Sequence, residues 1–324
     1  MKRIDNRIIR DDQDEIRAFL VVRNEMLRLP STLRHHRALG VNRFFVLDNG
    51  STDGTLDYLA GEPDVHIFAT DESYAQSSYG ITWTNELLDR FGTGHWTLTI
   101  DADEQFIYPH YEKIRLSTFC RHLDATGVEA VPCILLDMYS NLTVQDTVHD
   151  PHASLLETCR YFDPGPYRRI RAADPPYFQY YGGVRERIFQ HIKAPYHPPT
   201  VSKVPLVRWK PGRMFLCSTH SLSAAQVSPL MATLLHFKFL SDFHYRVETE
   251  VARGEHYAEA QEYRAYRDLL RLARKVKLLS GQSARFEGSS QLVRLNLMAT
   301  SKSYEDFVKS TAAGSPAVLQ PVAV

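Results

Sequence analysis

The chain is poor in the features that mark several common classes of protein. Only four cysteines occur in 324 residues, Cys120, Cys133, Cys159 and Cys217. They lie far apart and no C-x-x-C pair exists, which removes zinc-ribbon and thioredoxin-like readings and suits a reducing cytosol. No run of about 18 apolar residues is present, so no membrane-spanning helix is expected. The opening MKRIDNRIIRDDQDE lacks the apolar segment of a secretory signal. The expectation is a cytoplasmic protein, at most peripheral at the inner face of a membrane. Neither sign of charge is in excess, with 38 Lys and Arg against 38 Asp and Glu. Nucleic-acid partners, which call for a strong basic surplus, are therefore not expected. No G-x-G follows the first strand-like run, which removes a dinucleotide-binding fold, and no internal repeat is found.

What the chain does contain is an alternation of strand and helix patterns over its first hundred residues. Ala18 to Val22 is a short apolar run that reads as a buried strand. Pro30 to Leu39 reads as a helix, with proline in its first turn and Gly40 closing it. Strands are expected at Arg43 to Leu47, Val65 to Ala69 and Trp96 to Ile100, and helices at Thr55 to Ala60 and Ser77 to Arg90. This β-α-β order predicts an α/β fold, a mostly parallel twisted sheet with helices on both faces. Ligands of such sheets sit outside the carboxyl ends of the strands. Arg23-Asn24-Glu25, Asp48, Asp101 and Asp103 all fall there. Further on, Ala130 to Leu136 reads as a strand, 140 to 180 as long loops, Tyr180 to Arg187 as a strand, and 257 to 280 as one long helix. Pro195 to Pro199 reads as a turn or linker. The organisation expected is two halves of one α/β domain over 1–125 and 126–250, a C-terminal helical extension over 251–311 and a disordered tail over 312–324.

Asp101-Ala102-Asp103 carries the chemistry. Two carboxylates two residues apart project to one side if the backbone stays extended. Like charges that close raise one another's pKa, and a divalent cation resolves the conflict. Oxygen ligands favour Mg²⁺ or Mn²⁺, and such an ion can offset the charge on a departing nucleoside diphosphate. The plainer alternative is a solvated turn at a strand end. In Asp48-Asn49-Gly50-Ser51-Thr52-Asp53-Gly54-Thr55, Asp48 offers an acceptor for a base imide or a ribose hydroxyl. Ser51 or Asp53 can cap the next helix. Here the alternative is a capped β-α turn.

The run Val22-Arg23-Asn24-Glu25, then Leu29-Pro30, then Asp48 to Thr55, then Asp101-Ala102-Asp103-Glu104 resembles the N-terminal half of a family 2-like glycosyltransferase with the GT-A fold. The resemblance spans about residues 16 to 108. It extends in weaker form to Gly182–Phe189 and Leu234–Phe243. It implies transfer, with inversion, from a nucleotide-diphosphate sugar, uridine diphosphate being the expected carrier, to a carbohydrate or lipid-linked acceptor. Surface polysaccharide assembly is a setting that would suit it. It implies a donor pocket made by Asp48, Arg23 and Asn24, with Glu25 and Asp53 as further candidates. Arg185 and Lys238 are candidate phosphate contacts, a pair with Glu186 being the alternative for Arg185 and a surface charge that for Lys238. Asp101 would lie near ribose and metal, and Asp103 would be the main metal ligand. A late histidine, His220 or His236, would complete the metal shell; a hydrogen-bonded core histidine is the alternative for each. The general base expected is Glu186, with Asp137 competing. Arg264, Arg267, Arg271 and Arg274 share a helical face, read either as a membrane contact or as a solvated face paired with Glu255, Glu259 and Glu262. A sugar-nucleotide pyrophosphorylase and a non-catalytic binding module are the competing functional readings.

Overall fold

The computed structural model describes residues 1–190, 199–273 and 275–314. Residues 195–198 of the expected turn, Arg274 of the basic stripe and residues 315–324 of the expected tail lie outside the described residues.

Numbered along the chain, nine strands form one sheet. They are β1 (Lys2–Arg3), β2 (Ile16–Val22), β3 (Arg43–Asp48), β4 (Val65–Ala69), β5 (Trp96–Thr99), β6 (Glu104–Ile107), β7 (Ala130–Asp137), β11 (Ser202–Arg208) and β12 (Ala232–His236). Two small pairs stand apart, β8 (Tyr161–Phe162) with β13 (Ala284–Arg285), and β9 (Tyr167–Arg171) with β10 (Phe178–Gly182). The sheet order is β1-β4-β3-β2-β5-β11-β7-β12-β6. Strands β4, β3, β2 and β5 run parallel, and β7 and β12 share their direction; β1, β11 and β6 run against them. The sheet is thus mostly parallel, as the alternating pattern predicts.

The helices are α1 (Leu29–Leu39), α2 (Thr55–Gly61), α3 (Ile81–Phe91), α4 (Leu116–Ala125), α5 (Leu155–Thr158), α6 (Gly183–Phe189), α7 (Phe243–Arg253), α8 (Tyr257–Leu272), α9 (Ser289–Arg294) and α10 (Lys302–Gly314). Strand alternation decides which helix packs where. Ala18, Leu20 and Val22 of β2 and Phe44 and Val46 of β3 face one side, against Leu29, Leu33 and Leu39 of α1 and Leu59 of α2. Phe19, Phe45 and Leu47 face the other, against Ile81, Trp83, Leu87 and Leu88 of α3. Both faces are therefore covered, and the central strands read as near-continuous apolar runs because neither face meets water.

Several expected elements differ. The helix expected from Ser77 begins at Ile81, because Ser78, Tyr79 and Gly80 take left-handed backbone angles (φ 55°, 58° and 83°) that no α-helix accommodates. The strand expected through Tyr180 to Arg187 ends at Gly182 and turns directly into α6. Gly183 sits at φ 69°, and a Cβ on Gly182 would lie 2.6 Å from the Pro166 carbonyl oxygen. The paired glycines are there because the backbone passes so close to Tyr167. The interval 140–180, expected as loops, holds α5 and the β9–β10 hairpin. The long helix expected to residue 280 ends at Leu272, because Val144 donates to the Val276 carbonyl (2.8 Å) and Lys277 bridges Thr143, drawing that segment into extended pairing. Residues 312–314, placed in the expected tail, close α10. No helix among the described residues is long and apolar enough to cross a membrane.

Candidate active site

Strand direction assembles the site. The carboxyl ends of β2, β3, β5, β7 and β12 open on one edge of the sheet, leading to Arg23, Asp48, Asp101, Asp137 and His236. Asp137 and His236 are the last residues of their strands and stand opposite one another in the parallel register of β7 and β12. Across β12 on its other side, His236 stands opposite Glu104 at the start of β6. Helices α7 and α8 supply the outer wall through Arg246, Arg253 and Tyr263. The cleft between them has a volume of about 330 Å³.

The D-A-D run does not stay extended, contrary to the premise of the same-side argument. It forms a turn in which Glu104 donates its amide to the Asp101 carbonyl (3.1 Å), held by Thr32 Oγ1 on the Ala102 carbonyl (2.6 Å). The two carboxylates still border one cleft, in different settings. Asp101 keeps 59% of its side-chain surface exposed and meets Lys203 Nζ at 2.7 Å. Asp103 keeps 8%, and its Oδ2 lies 3.3 Å from His236 Nε2. The other ring nitrogen of His236 approaches Asp137 Oδ1 at 2.5 Å, and Arg185 clamps Asp137 with two hydrogen bonds of 2.8 and 2.9 Å. Arg185, Asp137, His236 and Asp103 thus form a buried chain of alternating charge.

The pKa directions follow from that chain. Burial would raise the Asp103 carboxyl, yet the His236 charge beside it holds it well below the usual range. Burial would likewise raise Asp137, but Arg185 and then His236 bring it down. Burial works to lower His236, and the Asp103 charge reverses this, so its pKa is raised. His220 is different. Burial and then the Lys203 charge push it down to about 4, and its Nδ1 donates to the Ser202 carbonyl oxygen, which leaves Nε2 as a free lone pair.

The remaining expected residues divide. Arg23 borders the cleft, hydrogen-bonds the Asn49 carbonyl and makes no ion pair among the described residues. Asp48 is buried; its Oδ2 accepts the amides of Gly50 and Ser51 at 3.0 Å each, while its Oδ1 has no hydrogen-bond partner. Glu25 borders the cleft in a two-pronged pair with Arg246 (3.0 and 2.8 Å); burial pushes its pKa up to about 7, against the pull of Arg246. Lys238 is committed to Glu262 (2.8 Å).

Five expected site residues are corrected. Asn24 (φ 54°) and Asp53 tie two loops together instead of facing the cleft. Asn24 Oδ1 accepts from the Thr52 amide (2.7 Å), and Asp53 accepts from the Met26 and Thr55 amides at 3.0 Å each. Arg185 borders the cleft, but its guanidinium is consumed by Asp137, so it does not offer itself to a phosphate. Glu186 and Asp137, the expected bases, do not border the cleft. Glu186 pairs with Arg168 at 3.1 Å, because a helix rather than a strand carries it and turns it outward.

Sequence reasoning missed Lys203, Arg246 and Tyr263. A lone lysine inside the apolar strand S-K-V-P-L-V-R was a usable signal, since an unpaired charge is not buried there without a partner.

No protein-family model matches the chain, and no curated protein matches it. Solved structures give partial likenesses. One is S. aureus TarS 1–349, with 15% identity over 39% of this chain and 36% of that one, at a TM-score of 0.28. Another is HddC from Yersinia pseudotuberculosis, with 10% identity over 40% and 61%, at 0.26. A third is a putative glucose-1-phosphate thymidylyltransferase from Bacillus anthracis, in complex with a sucrose, with 10% identity over 90% and 99%, at 0.29. The chain spans about a third of the length of the TarS fragment. At such TM-scores these likenesses carry no argument about activity.

Proposed function

We propose that the chain is a metal-dependent glycosyltransferase taking a nucleotide-diphosphate sugar, with uridine as the expected base. The observation that carries this reading is the convergence of Arg23, Asp101, Asp103 and His236 on one cleft at the carboxyl ends of parallel strands. The orphaned Oδ1 of buried Asp48, beside cleft-lining Asn49, is an acceptor suited to a base imide.

The donor set fits a divalent ion, although no cage of three or more His, Cys, Asp or Glu side chains stands ready among the described residues. Asp137 holds one nitrogen of His236 so that the other faces Asp103, the carboxylate–histidine arrangement that supports metal ligands. Asp103 and His236 would therefore hold Mn²⁺ or Mg²⁺, with phosphate oxygens and water completing the shell. Bound there, the ion supplies charge that stabilises a departing diphosphate. Arg23 adds a fixed positive charge at the same mouth. The acceptor's proton needs a carboxylate that borders the cleft, and Glu25, Glu250 and Glu262 are those outside the D-A-D-E run. A carbohydrate or lipid-linked acceptor would approach from the α7–α8 side.

The test is a thermal-shift titration with UDP, UDP-sugars and Mn²⁺, alone and combined. UDP with Mn²⁺ should raise Tm more than either alone, since stabilisation grows with ligand concentration over Kd. Asp103→Asn should remove the joint effect and cut donor hydrolysis by on the order of 10³-fold. Hydrolysis unaffected by EDTA, or pyrophosphate release from UTP and a sugar 1-phosphate, would overturn the reading.

A further inference from the structure

Lys203 is buried to 4% exposure on a central strand, and both carboxylates within reach of its ammonium belong to the D-A-D-E run. Its Nζ lies 2.7 Å from Asp101 Oδ2 and 2.5 Å from Glu104 Oε1. Sheet register brings it there. β11 pairs antiparallel with β5, Leu206 opposite Leu98, and continuing that register carries Lys203 alongside Asp101. Pro205 lacks an amide donor, and on the other flank of β11 the register with β7 shifts between Lys203 and Leu206. Glu104 is held from its other oxygen by the Asp101 amide (3.0 Å), so the ammonium and the two acids form one hydrogen-bonded group. A buried ammonium is tolerated only when paired in this way, and removing one partner leaves an uncompensated charge. Asp103, two residues from Asp101, takes no part and faces His236 instead.

We propose that Lys203 is a tethered cation that claims Asp101 and Glu104, so that a divalent ion in this cleft is held by Asp103 and His236 without Asp101. The proposal rests on the metal-dependent reading above. It divides the D-A-D run: Asp103 ligates, while Asp101 is neutralised in place and Lys203 acts as a positioning residue. Without the lysine, Asp101 and Glu104 would become a second pair of hard oxygen ligands, the kind that binds Mn²⁺.

The experiment is Mn²⁺ uptake by the full chain, followed by electron paramagnetic resonance, with thermal melting in parallel. Asp101→Asn should keep the Mn²⁺ Kd within about 3-fold, whereas Asp103→Asn should weaken it by roughly 100-fold or more. Lys203→Met should bind a second Mn²⁺, or bind it at least about 10-fold more tightly, and should regain with Mn²⁺ the Tm it loses without it. Lys203→Arg should restore wild-type stoichiometry. Equal losses in Asp101→Asn and Asp103→Asn, with wild-type uptake intact, would overturn the role of Lys203 and leave the metal-dependent reading standing. Wild-type protein that takes up no Mn²⁺, alone or with UDP, would overturn both. If Lys203→Met does not fold, the contrast between the two aspartate variants decides.

Discussion

Two acid-bearing motifs border the same sheet edge and are held by different physics. The loop Asp48 to Thr55 is stitched by hydrogen bonds between carboxylate or amide oxygens and backbone N–H groups, within itself and to the neighbouring turn at residues 24–26, with Asp53 serving Met26 and Thr55 and Asn24 serving Thr52. The floor under Asp103 is ionic and long-range, built from Arg185, Asp137 and His236 on α6, β7 and β12. A motif aspartate thus means different things in the two places. In the loop its oxygens are spent on backbone geometry, except for the free Oδ1 of Asp48. In the floor they are set against the side chains of Arg185 and His236.

The contrast can be broken at the floor first. Asp137→Asn should weaken Mn²⁺ binding by roughly 10–100-fold, as expected for loss of a partner that orients a metal-binding histidine. It should also cost about 3–5 kcal/mol of stability, because Arg185 is left buried without its counter-charge. Isothermal titration and urea denaturation would measure the two effects separately.

The pH dependence of stability comes next. Burial holds His35, His149 and His220 at about 4, below their ordinary value of 6.5. The unfolded chain therefore binds protons below pH 6.5 that the folded chain refuses, and stability falls on acidification. Asp103 and Asp137 are lowered, and their contribution is likewise lost as pH falls. Burial also lowers His36, His66 and His122, so six histidines act in this sense, against Glu25 and Glu104, both near 7, which act in the opposite sense between about 4.5 and 7. His236 is raised, so its contribution is present at low pH and disappears as pH climbs through its folded value. Melting curves should show a lower Tm at pH 5 than at pH 7, and the His236→Gln variant should lose the alkaline limb.

At the loop, Asp53→Ala should cost only about 1–2 kcal/mol, the scale of its lost hydrogen bonds to the Met26 and Thr55 amides. Tm should drop by several degrees while Mn²⁺ uptake is unchanged; a large loss of uptake would erase the distinction between the regions. Smallest of all, Glu186→Gln breaks a peripheral pair with Arg168 and should alter donor hydrolysis by less than about 2-fold. A large loss would return Glu186 to the catalytic centre.

Legibility in the sequence followed the range of the interactions. Strands β2 to β5 and their helices could be read to within a few residues, since apolar periodicity, Pro30 and Gly40 are local signals. The same holds for the placing of Arg23, Asp48, Asp101 and Asp103 at strand exits. Glu186 was misjudged because the switch from strand to helix at Gly182 is imposed by the close passage of Tyr167, a contact 15 residues away.

By itself the amino-acid order determined an alternating α/β sheet with its acidic and small polar residues at the carboxyl edge, because burial and turn chemistry act between near neighbours. Only the tertiary structure decided that Asp101 belongs to Lys203 and Asp103 to His236, that Asp137 supports His236, and that α7 and α8 wall the cleft. Those pairings join residues about a hundred positions apart. They are set by sheet register and by the cost of burying an unpaired charge, neither of which leaves a periodic trace in the chain.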